Sequence, residues 1–432
     1  MVLKKTIGVG QSGGPTSVIN DTLAGVIYEA QIREIKVIGL KNELEGGGLN
    51  PCIEGNLVDL SVINPYFLRG IPGAYLGTTR LRLKKDKKED VEKIFEAKKN
   101  LDKLIDALIY IGGNDSADTL LLYENGIHVE KTEDNDLMEN DHTSGWGSAS
   151  LANSELIRAL TPDVGGFNPR TNFQGKEVYS TAPVVVYQTQ GRDSGWLVYG
   201  CAFAKINHAG DVIENASPHI FLNKENKYDK NELLNEVENL LIKQGFAFIV
   251  CGEELMDKEG RILSKVYGIE DSKDESGHAE HSRSGSFNYA DFIASEIKKG
   301  LQRDVNVING YMKLKETPIT PHHIQRTFKR SYVDAQEAFN AGREAVKAFD
   351  EEDIGISIAL KRFGDSYNIQ PTRINLTDVV GKVRKVDGKY LGGLKGPKEK
   401  FYGDFLPLIG GPLSMTHYVG PDLYPIKENH KI

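Results

Sequence analysis

The sequence predicts an α/β fold made of mainly parallel sheets. Two observations carry this prediction: short apolar segments alternate with helical segments along the chain, and glycine-rich turns follow some apolar segments directly. Because parallel strands need helical crossovers, this alternation is typical of Rossmann-like domains. In such domains the loops that bind ligands gather at the carboxyl ends of the strands.

The N-terminal region predicts a βαβ unit. An apolar strand at 7–9 leads through the turn Ser12-Gly13-Gly14 into a helical segment at 18–32, and a second strand follows at 36–40. A turn of this kind presents backbone N–H groups to an anion. Glycines after strands often serve only tight turns, so this turn alone is weak support for a binding site.

The same alternation continues along the chain. A lysine-rich helical stretch at 90–104 precedes a third strand at 107–111, which ends at Gly112-Gly113. The polar segment 271–286 predicts a loop or flap. The remaining predicted elements are strands at 182–187 and 246–251 and helices at 230–243, 289–301 and 334–349.

The length, the net charge and the number of cysteines limit the class of protein to which this chain can belong. A chain of 432 residues is long enough for two or three domains. The net charge of -8 argues against a nucleic-acid partner, and the absence of a span-length apolar run argues against a membrane partner. The start leads directly into a strand, so we expect no signal peptide and a cytoplasmic location. Three widely separated cysteines argue against disulfides and structural zinc.

The stretch Lys131-Thr132-Glu133-Asp134-Asn135-Asp136 combines the residue types that phosphoryl transfer needs. This chemistry uses a base for the attacking hydroxyl, cations for a polyanion and carboxylates for Mg²⁺. Taken alone, the acidic cluster is more typical of a solvated surface loop. The lack of the Gly and Glu that an EF-hand requires argues against a calcium loop.

A second glycine turn strengthens the hypothesis of an anion site. Gly112-Gly113-Asn114-Asp115-Ser116 follows the third strand as the first turn follows the first strand. The segment 73–80 lies between the two turns and ends at Arg80. The guanidinium of Arg80 is then placed to hold a phosphate.

These motifs form an ordered series. The series comprises Gly8-Val-Gly-Gln-Ser-Gly13-Gly14, residues 73–80, Ile111-Gly-Gly-Asn-Asp-Ser116, residues 131–137, Asp141-His-Thr-Ser-Gly-Trp-Gly-Ser-Ala149, Gly191-Arg192-Asp-Ser-Gly-Trp196 and Ile324-Gln-Arg326. In order and spacing it resembles the phosphofructokinase family, and most of all its long, pyrophosphate-dependent branch, from residue 6 to about 350. The resemblance implies two similar Rossmann-like three-layer domains with the active site in the cleft between them.

By the same resemblance, the two domains are interleaved in sequence. Residues 1–145 with about 325–375 would form the domain of the donor phosphates, and residues 146–324 with about 376–432 the domain of fructose 6-phosphate. The resemblance also implies a homo-oligomer, either a dimer or a tetramer.

The family transfers a phosphoryl group to the 1-hydroxyl of fructose 6-phosphate. By resemblance, Asp134 would accept the proton of that hydroxyl. Asp136 would support Asp134 or help to place Mg²⁺, for which Asn114 is a further ligand. Thr132 would hydrogen-bond the transferring group, and Arg192 would neutralise charge in the transition state. The donor phosphates would lie on Gly13, Gly14, Arg80, Gly113, Asp115 and Ser116.

The resemblance also assigns the acceptor site. His323 and Arg326 would bind the 6-phosphate, because a cationic pair suits that group. Glu225 would bind the sugar hydroxyls, with Gln190 and Gly191 beside the substrate.

Asp115 and Lys131 indicate the donor. In this family Gly at both positions goes with ATP, whereas Asp and Lys go with pyrophosphate. The expected reaction is therefore Mg²⁺-dependent, reversible transfer from pyrophosphate to fructose 6-phosphate, giving fructose 1,6-bisphosphate and phosphate in glycolysis. Two alternatives stay open, an ATP-dependent enzyme and a catalytically weak regulatory paralogue that binds sugar phosphate.

Three departures from the family pattern keep the regulatory alternative open. Glu130 replaces a usual proline and Glu133 a usual apolar residue. Both acids should repel polyanions unless they face solvent or bind cations. Thr317 stands where the family commonly has an arginine, upstream of the histidine that binds the 6-phosphate, so its absence bears on sugar-phosphate affinity.

Overall fold

The computed structural model describes residues 5–79, 83, 87–267, 288–302 and 310–414. Arg80 and the predicted loop at 271–286 lie outside the described residues. Within those ranges, no helix is long and apolar enough to span a membrane.

Strands and helices alternate along the described chain. The strands are β1 (Thr6–Gln11), β2 (Lys36–Leu40), β3 (Leu57–Asp59), β4 (Ala107–Gly112), β5 (Gly126–Thr132), β6 (Ser144–Gly145), β7 (Arg170–Phe173), β8 (Lys176–Tyr179), β9 (Ala182–Gln188), β10 (Ile220–Leu222), β11 (Ala247–Cys251), β12 (Leu314–Ile319), β13 (Ile356–Arg362) and β14 (Ile369–Asn375). The α-helices are α1 (Ile19–Ile32), α2 (Pro65–Leu68), α3 (Lys88–Leu101), α4 (Asn114–Tyr123), α5 (Trp146–Gly165), α6 (Trp196–Gly200), α7 (Lys230–Gln244), α8 (Leu263–Val266), α9 (Tyr289–Leu301), α10 (Ile324–Thr327), α11 (Tyr332–Asp350), α12 (Leu376–Val379) and α13 (Glu399–Phe405).

The larger sheet has the order β14-β13-β5-β4-β1-β2-β3, with β6 paired to β5. The neighbours from β13 to β2 run parallel, and only the edge strands β14 and β3 pair antiparallel. Because the chain leaves β1 for β2 on one side and later adds β4 on the other, the turns after β1 and β4 flank a topological switch point. Ligands of open α/β sheets bind at such a point. We call this sheet with its helices the first half.

The smaller sheet has the order β10-β11-β9-β12, and all its neighbours are parallel. Helices α7 and α9 pack on one face. Helices α5, α6 and α13 pack on the other face, in a core that is rich in aromatic rings. We call this sheet with its helices the second half. The observed architecture confirms the predicted class of mainly parallel α/β sheets.

Most predicted elements coincide with observed ones. The predicted strands correspond to β1, β2, β4, β9 and β11, and the predicted helices to α1, α3, α7, α9 and α11. The strand β5 had no prediction, although it is buried along its whole length and ends at Lys131 and Thr132. The domain limits stay a prediction. Helix α11 packs in the core of the first half, with α1 and the larger sheet.

Helices α1 and α11 cross at two glycines. A Cβ on Gly25 would lie 2.0 Å from the carbonyl oxygen of Phe339, and a Cβ on Gly342 would lie 2.0 Å from that of Thr22. No side chain fits between backbones at that distance. The two glycines therefore fix how closely α11, which lies far along the chain, packs onto α1.

We expect Gly25→Ala and Gly342→Ala each to lower the free energy of unfolding by roughly 1–3 kcal/mol, because the added methyl group forces the helices apart. Urea denaturation measures this change. The matched control is Gly403→Ala in α13, where nothing lies within 4 Å of the new Cβ. The control should be neutral or more stable by about 0.5–1 kcal/mol. Equal effects at all three positions would contradict the close crossing.

Candidate active site

A cleft of about 370 Å³ is lined by residues from both halves. The first half contributes the turns after β1 and β4 and the loop after β5. The second half contributes Arg192 and Asp193, and Arg326 of α10 faces them. Residues 381–383 complete the rim. The cleft thus lies at the switch point of the larger sheet.

The loop after β5 is buried. Glu133 and Asp136 are 3% and 7% exposed, and Asp134 between them lines the cleft. Asn135 has a φ of 57°, in the left-handed region that asparagine tolerates, and its Oδ1 accepts a hydrogen bond from Thr143 N at 2.8 Å. The solvated-loop alternative is therefore wrong.

The two aspartates of this loop have raised pKa values. Burial raises the pKa of Asp134 well above its usual range, and the charges of Glu133 and Asp136 raise it further. Burial also raises the pKa of Asp136 to about 7, with the charge of Asp193 adding to the effect. Neighbouring carboxylates ionise as a coupled set. Asp134 Oδ1 is buried without a hydrogen-bond partner among the described residues, so it can accept a proton from a bound hydroxyl.

Glu133 is paired with a cation. It forms an ion pair with Arg326. Burial raises the pKa of Glu133, but the charges of Arg326 and Lys131 outweigh burial and leave it lower than usual. The guanidinium of Arg326 also lies against the first glycine turn, since a Cβ on Gly14 would lie 2.8 Å from Arg326 Cζ. Binding of a 6-phosphate by Arg326 stays a prediction.

Glu130 is buried in a network below the cleft. Its carboxyl group accepts hydrogen bonds from Asn140 Nδ2 at 2.8 Å and Ser357 Oγ at 3.4 Å. Burial raises the pKa of Glu130 to about 8. The expectation that Glu130 repels polyanions unless it faces solvent or a cation is therefore wrong, because the buried side chain is largely neutral at pH 7.

Lys131 and Thr132 lie at the carboxyl end of β5. Lys131 Nζ donates to Gly14 O at 2.7 Å, and burial lowers the pKa of this lysine. Thr132 Oγ1 accepts from Asp134 N at 3.1 Å. Both residues line the cleft beside Asp115.

The two glycine turns differ in what they offer an anion. Gly13 N donates to Glu43 Oε1 at 3.1 Å, so this N–H group, expected to face a phosphate, already has an anionic partner. The turn after β4 begins α4 at Gly113, which makes no side-chain cap hydrogen bond. Gly113, Asn114, Asp115 and Ser116 all line the cleft. The start of α4 is thus the better anion site.

The loop after β9 brings the second half close to Asp134. A Cβ on Gly191 would lie 3.6 Å from Asp134 Oδ1. Lys224 Nζ donates to Arg192 O at 3.2 Å and so fixes the backbone of this loop. Gln190 Nε2 lies 3.4 Å from His323 Nδ1. Of the predicted acceptor residues, Gly191 thus lies beside Asp134, and Gln190 next to it contacts His323.

Glu225 contacts the same loop after β9. Its Oε1 accepts from Gly195 N at 3.1 Å and from Val386 N at 2.9 Å. Its Oε2 is buried without a hydrogen-bond partner in the described part of the chain. An unpaired buried oxygen is what a sugar hydroxyl would satisfy.

Asn114 and Asp136 fit Mg²⁺. Asn114 Nδ2 donates to Asp136 Oδ2 at 3.1 Å, and Asn114 Oδ1 is buried without a hydrogen-bond partner among the residues described. No group of three or more His, Cys, Asp or Glu side chains in those ranges is arranged to hold a metal. Mg²⁺ commonly uses one or two protein ligands and takes the rest from water and substrate phosphates, which agrees with this pair.

His142 anchors the far end of the same loop. Its Nδ1 lies 2.9 Å from Asp141 Oδ1 and its Nε2 lies 2.8 Å from Glu337 Oε2 of α11. Arg362 of β13 holds Asp141 from the other side. Burial opposes the charge of His142, but the two carboxylates outweigh burial and raise its pKa to about 10. The histidine is therefore an imidazolium ion at neutral pH.

Sequence reasoning missed three functional groups: Glu43, the His142–Glu337 pair and Arg384. Arg384 donates to Asn140 Oδ1 at 2.7 Å and to Asp141 O at 2.7 Å. No motif marks Glu43 or Arg384. His142 lies within the quoted series of motifs, but its partner lies 195 residues further along the chain.

A cleft of this kind, with carboxylates, basic side chains and the start of a helix that has no side-chain cap, defines a phosphotransferase site between two α/β halves. The chain belongs to the phosphofructokinase family, because the family model described as Phosphofructokinase matches residues 6–349. This match confirms the resemblance seen in the sequence.

Relatives of known name extend this comparison. The chain is 28% identical to the pyrophosphate–fructose 6-phosphate 1-phosphotransferase of Xanthomonas campestris, over 94% of this chain and 92% of that protein. It is 25% identical to the protein of the same name from Rhodospirillum rubrum, over 99% and 98%. The crystal structure of a pyrophosphate-dependent phosphofructokinase from Marinobacter aquaeolei has the same fold, with a TM-score of 0.73, 22% identity and coverage of 96% and 95%.

We expect the buried imidazolium of His142 to make stability fall at alkaline pH. Its pKa is raised from 6.5 to about 10 by folding, so its contribution is full below pH 6.5 and is lost as pH rises through 10. The free-energy difference between wild type and His142→Gln should therefore shrink by a few kcal/mol between about pH 7 and pH 10.

Urea denaturation of both proteins across this pH range measures the difference. His219→Gln is the matched control, because burial lowers the pKa of His219 to about 3 and this histidine stays neutral throughout. A His142→Gln effect that is as independent of pH as that of the control would refute the ionised histidine.

Proposed function

We propose that this protein catalyses Mg²⁺-dependent, reversible transfer of a phosphoryl group from pyrophosphate to the 1-hydroxyl of fructose 6-phosphate, giving fructose 1,6-bisphosphate and phosphate. The observation that carries the proposal is the position of Asp134, a half-buried carboxylate whose Oδ1 is buried and unpaired among the described residues, between the donor-side turns and the loop of Arg192. Named relatives that align over nearly the whole chain support the same reaction. We further propose a glycolytic role in the cytoplasm, as a homo-oligomer.

In this proposal Asp134 takes the proton of the acceptor hydroxyl. Its raised pKa makes it a stronger base than an ordinary aspartate, which suits transfer near neutral pH. Arg192 lies across the cleft, where its guanidinium would neutralise the charge of the transition state. Thr132 would hydrogen-bond the transferring group.

Asn114 and Asp136 would hold Mg²⁺ beside the donor phosphates. When bound, this ion supplies positive charge that neutralises the phosphate oxygens. Gly113 and Ser116 at the start of α4 would bind the donor through backbone and hydroxyl groups.

Asp115 and Lys131 support pyrophosphate as the donor. Asp115 adds a carboxylate to the cleft at the start of α4, where a further phosphate of ATP would meet like charge. Lys131 Nζ lies at the glycine turn and is placed for a compact dianion. Both features oppose a nucleotide and suit the smaller donor.

One observation favours a second candidate function. The ion pair of Arg326 with Glu133 reduces the charge that Arg326 can offer a 6-phosphate. A paralogue that regulates another enzyme through bound sugar phosphate would tolerate such weakened binding, because it needs no turnover. Turnover distinguishes the two candidates.

We expect purified protein with Mg²⁺ and fructose 6-phosphate to form fructose 1,6-bisphosphate with pyrophosphate and not with ATP. Asp134→Asn should lower kcat by roughly 10²–10⁴, because it removes the base and changes little else. A coupled aldolase assay measures the product.

Three outcomes separate the candidates. Turnover with ATP instead of pyrophosphate would overturn the assignment of Asp115 and Lys131, and the double variant Asp115→Gly/Lys131→Gly then tests these positions directly. No turnover with either donor, together with thermal stabilisation by fructose 6-phosphate, would favour the regulatory paralogue. Equal activity in Asp134→Asn would reject this aspartate as the base.

We expect kcat/KM to decline at acidic pH as the coupled aspartates of the cleft become protonated. We call this decline the acidic limb of the pH profile. Activity should fall as pH drops through about 7, because burial holds the pKa of Asp136 near 7 and that of Asp134 above its usual range. Asp193→Asn removes a negative charge that raises the pKa of Asp136, so the limb should move to lower pH.

Initial rates between pH 5 and 9 measure the limb. Asp211→Asn is a control of the same charge change, since Asp211 is exposed and pairs with Asn207 outside the cleft. A limb that stays in place in Asp193→Asn, or moves equally in the control, would contradict the coupling.

A further inference from the structure

The chain crosses from one half to the other after α12. Leu376 and Val379 of α12 pack in a core of the first half, whereas Phe401 and Phe405 of α13 pack in the core of the second half. Residues 381–383, in the connection between them, line the cleft. This connection lies beyond the region that the family model matches, which ends at residue 349.

Arg384 binds this connection to the loop after β5, which contains Asp134 and Asp136. Its backbone N donates to Asp136 O at 2.7 Å. Its guanidinium donates to Asn140 Oδ1 at 2.7 Å, to Asn135 Oδ1 at 3.2 Å and to Asp141 O at 2.7 Å. One side chain thus binds three residues of a single loop.

Arg384 also contacts the second half. Its guanidinium lies over the ring of Trp196, 4.3 Å from the centroid, and two residues later Val386 N binds Glu225. Burial lowers the pKa of Arg384 to about 10, so the side chain stays charged at neutral pH. A half-buried cation with this many partners is held in one position, and it sets the position of its neighbours along the chain.

Lys382 lies two residues before this anchor. It lines the cleft and is exposed to it, and its Nζ makes no hydrogen bond or ion pair with the described residues. Two other cations of the cleft, Lys131 and Arg326, already contact Gly14 O and Glu133. Lys382 is therefore a cation that can turn to an incoming anion.

Lys382 lies on the side of the cleft where the donor phosphates are proposed to bind. Helix α12 ends three residues before Lys382 and packs against α4 through the core that contains Ala117 and Leu120. The start of α4 is the proposed site of the donor phosphates. The same connection binds Asp136 through Arg384 N, next to Asn114.

We propose that residues 381–384 form a third wall of the active site. Lys382 binds a phosphate group of the donor. Arg384 is a positioning residue that holds Lys382 and the loop of Asp134 in fixed positions relative to each other. This inference rests on the proposed function, since it takes pyrophosphate as the donor. It adds two residues from a part of the chain that carries none of the motifs of the family.

Calorimetric titration with pyrophosphate and Mg²⁺ tests the role of Lys382 without requiring turnover. We expect Lys382→Ala to raise the Kd of pyrophosphate about tenfold, as loss of one charge-assisted contact does, and to leave the Kd of fructose 6-phosphate unchanged. Lys385→Ala is the matched control, because Lys385 is an exposed neighbour that does not line the cleft.

The outcomes separate this inference from the proposed function. Weaker pyrophosphate binding in Lys382→Ala alone, even in a protein without turnover, supports the inference while the proposed function fails. Equal Kd values in wild type and Lys382→Ala overturn the inference and leave the proposed function intact. A wild type that does not bind pyrophosphate overturns both.

Arg384→Lys and Arg384→Met test the positioning role. Lysine keeps the charge but cannot make the three bonds, so we expect both variants to raise the KM of pyrophosphate and to lower kcat at least tenfold, with partial recovery in Arg384→Lys. A purely structural role would lower Tm and leave the kcat and KM of the folded fraction unchanged. That second pattern would overturn the assignment of Arg384.

Discussion

Burial of charge around the loop after β5 is the constraint on which the rest of the site depends. Glu130, Glu133, Asp136 and His142 are all buried within thirteen positions of the chain. An isolated buried charge costs several kcal/mol, so each group must either find a partner or become neutral. Both solutions occur here: Glu130 is largely protonated, whereas Glu133 and His142 are ionised and paired.

The partners of these groups come from distant parts of the chain. Arg326 precedes α11, Glu337 lies within α11, Arg362 belongs to β13, and Arg384 follows α12. Glu337 and Arg362 reach the loop through packing within the first half, whereas Arg384 also contacts Trp196 of the second half. The loop after β5 is therefore completed by contacts with distant parts of the chain, which explains why a turn rich in carboxylates remains stable when it is largely buried.

The same dependence explains what the sequence can and cannot predict. The strands β1 and β4 with their glycine turns are local patterns, and so is the carboxylate motif at 133–136, so the α/β class and the first half of the cleft follow from local reasoning. The pairing of Glu133 with Arg326 joins residues that are 193 positions apart. No spacing rule predicts such a contact, and a short motif alone cannot distinguish a buried acid from a solvated one.

Strand β5 illustrates a different limit. Its sequence, Gly-Ile-His-Val-Glu-Lys-Thr, places three polar side chains in succession at the end, which is typical of a loop. Pairing with β4 and β13 nevertheless buries the whole strand, and His128 is satisfied by Ser357 Oγ at 2.8 Å and Gly112 O at 3.0 Å. Tertiary hydrogen bonds here override the local preference.

The ion pair of Glu133 with Arg326 bears on affinity more than on rate. A 6-phosphate that binds Arg326 must compete with a carboxylate that is already in place, and part of its binding energy is used to displace that carboxylate. The 6-phosphate is remote from the reacting atoms and changes little during transfer, so this cost falls almost equally on the ground state and the transition state. A loss of binding energy that is equal in the ground state and the transition state raises KM and leaves kcat nearly unchanged. An extra acid in this position is therefore compatible with full phosphoryl transfer, provided that Asp134 and Arg192 keep their places.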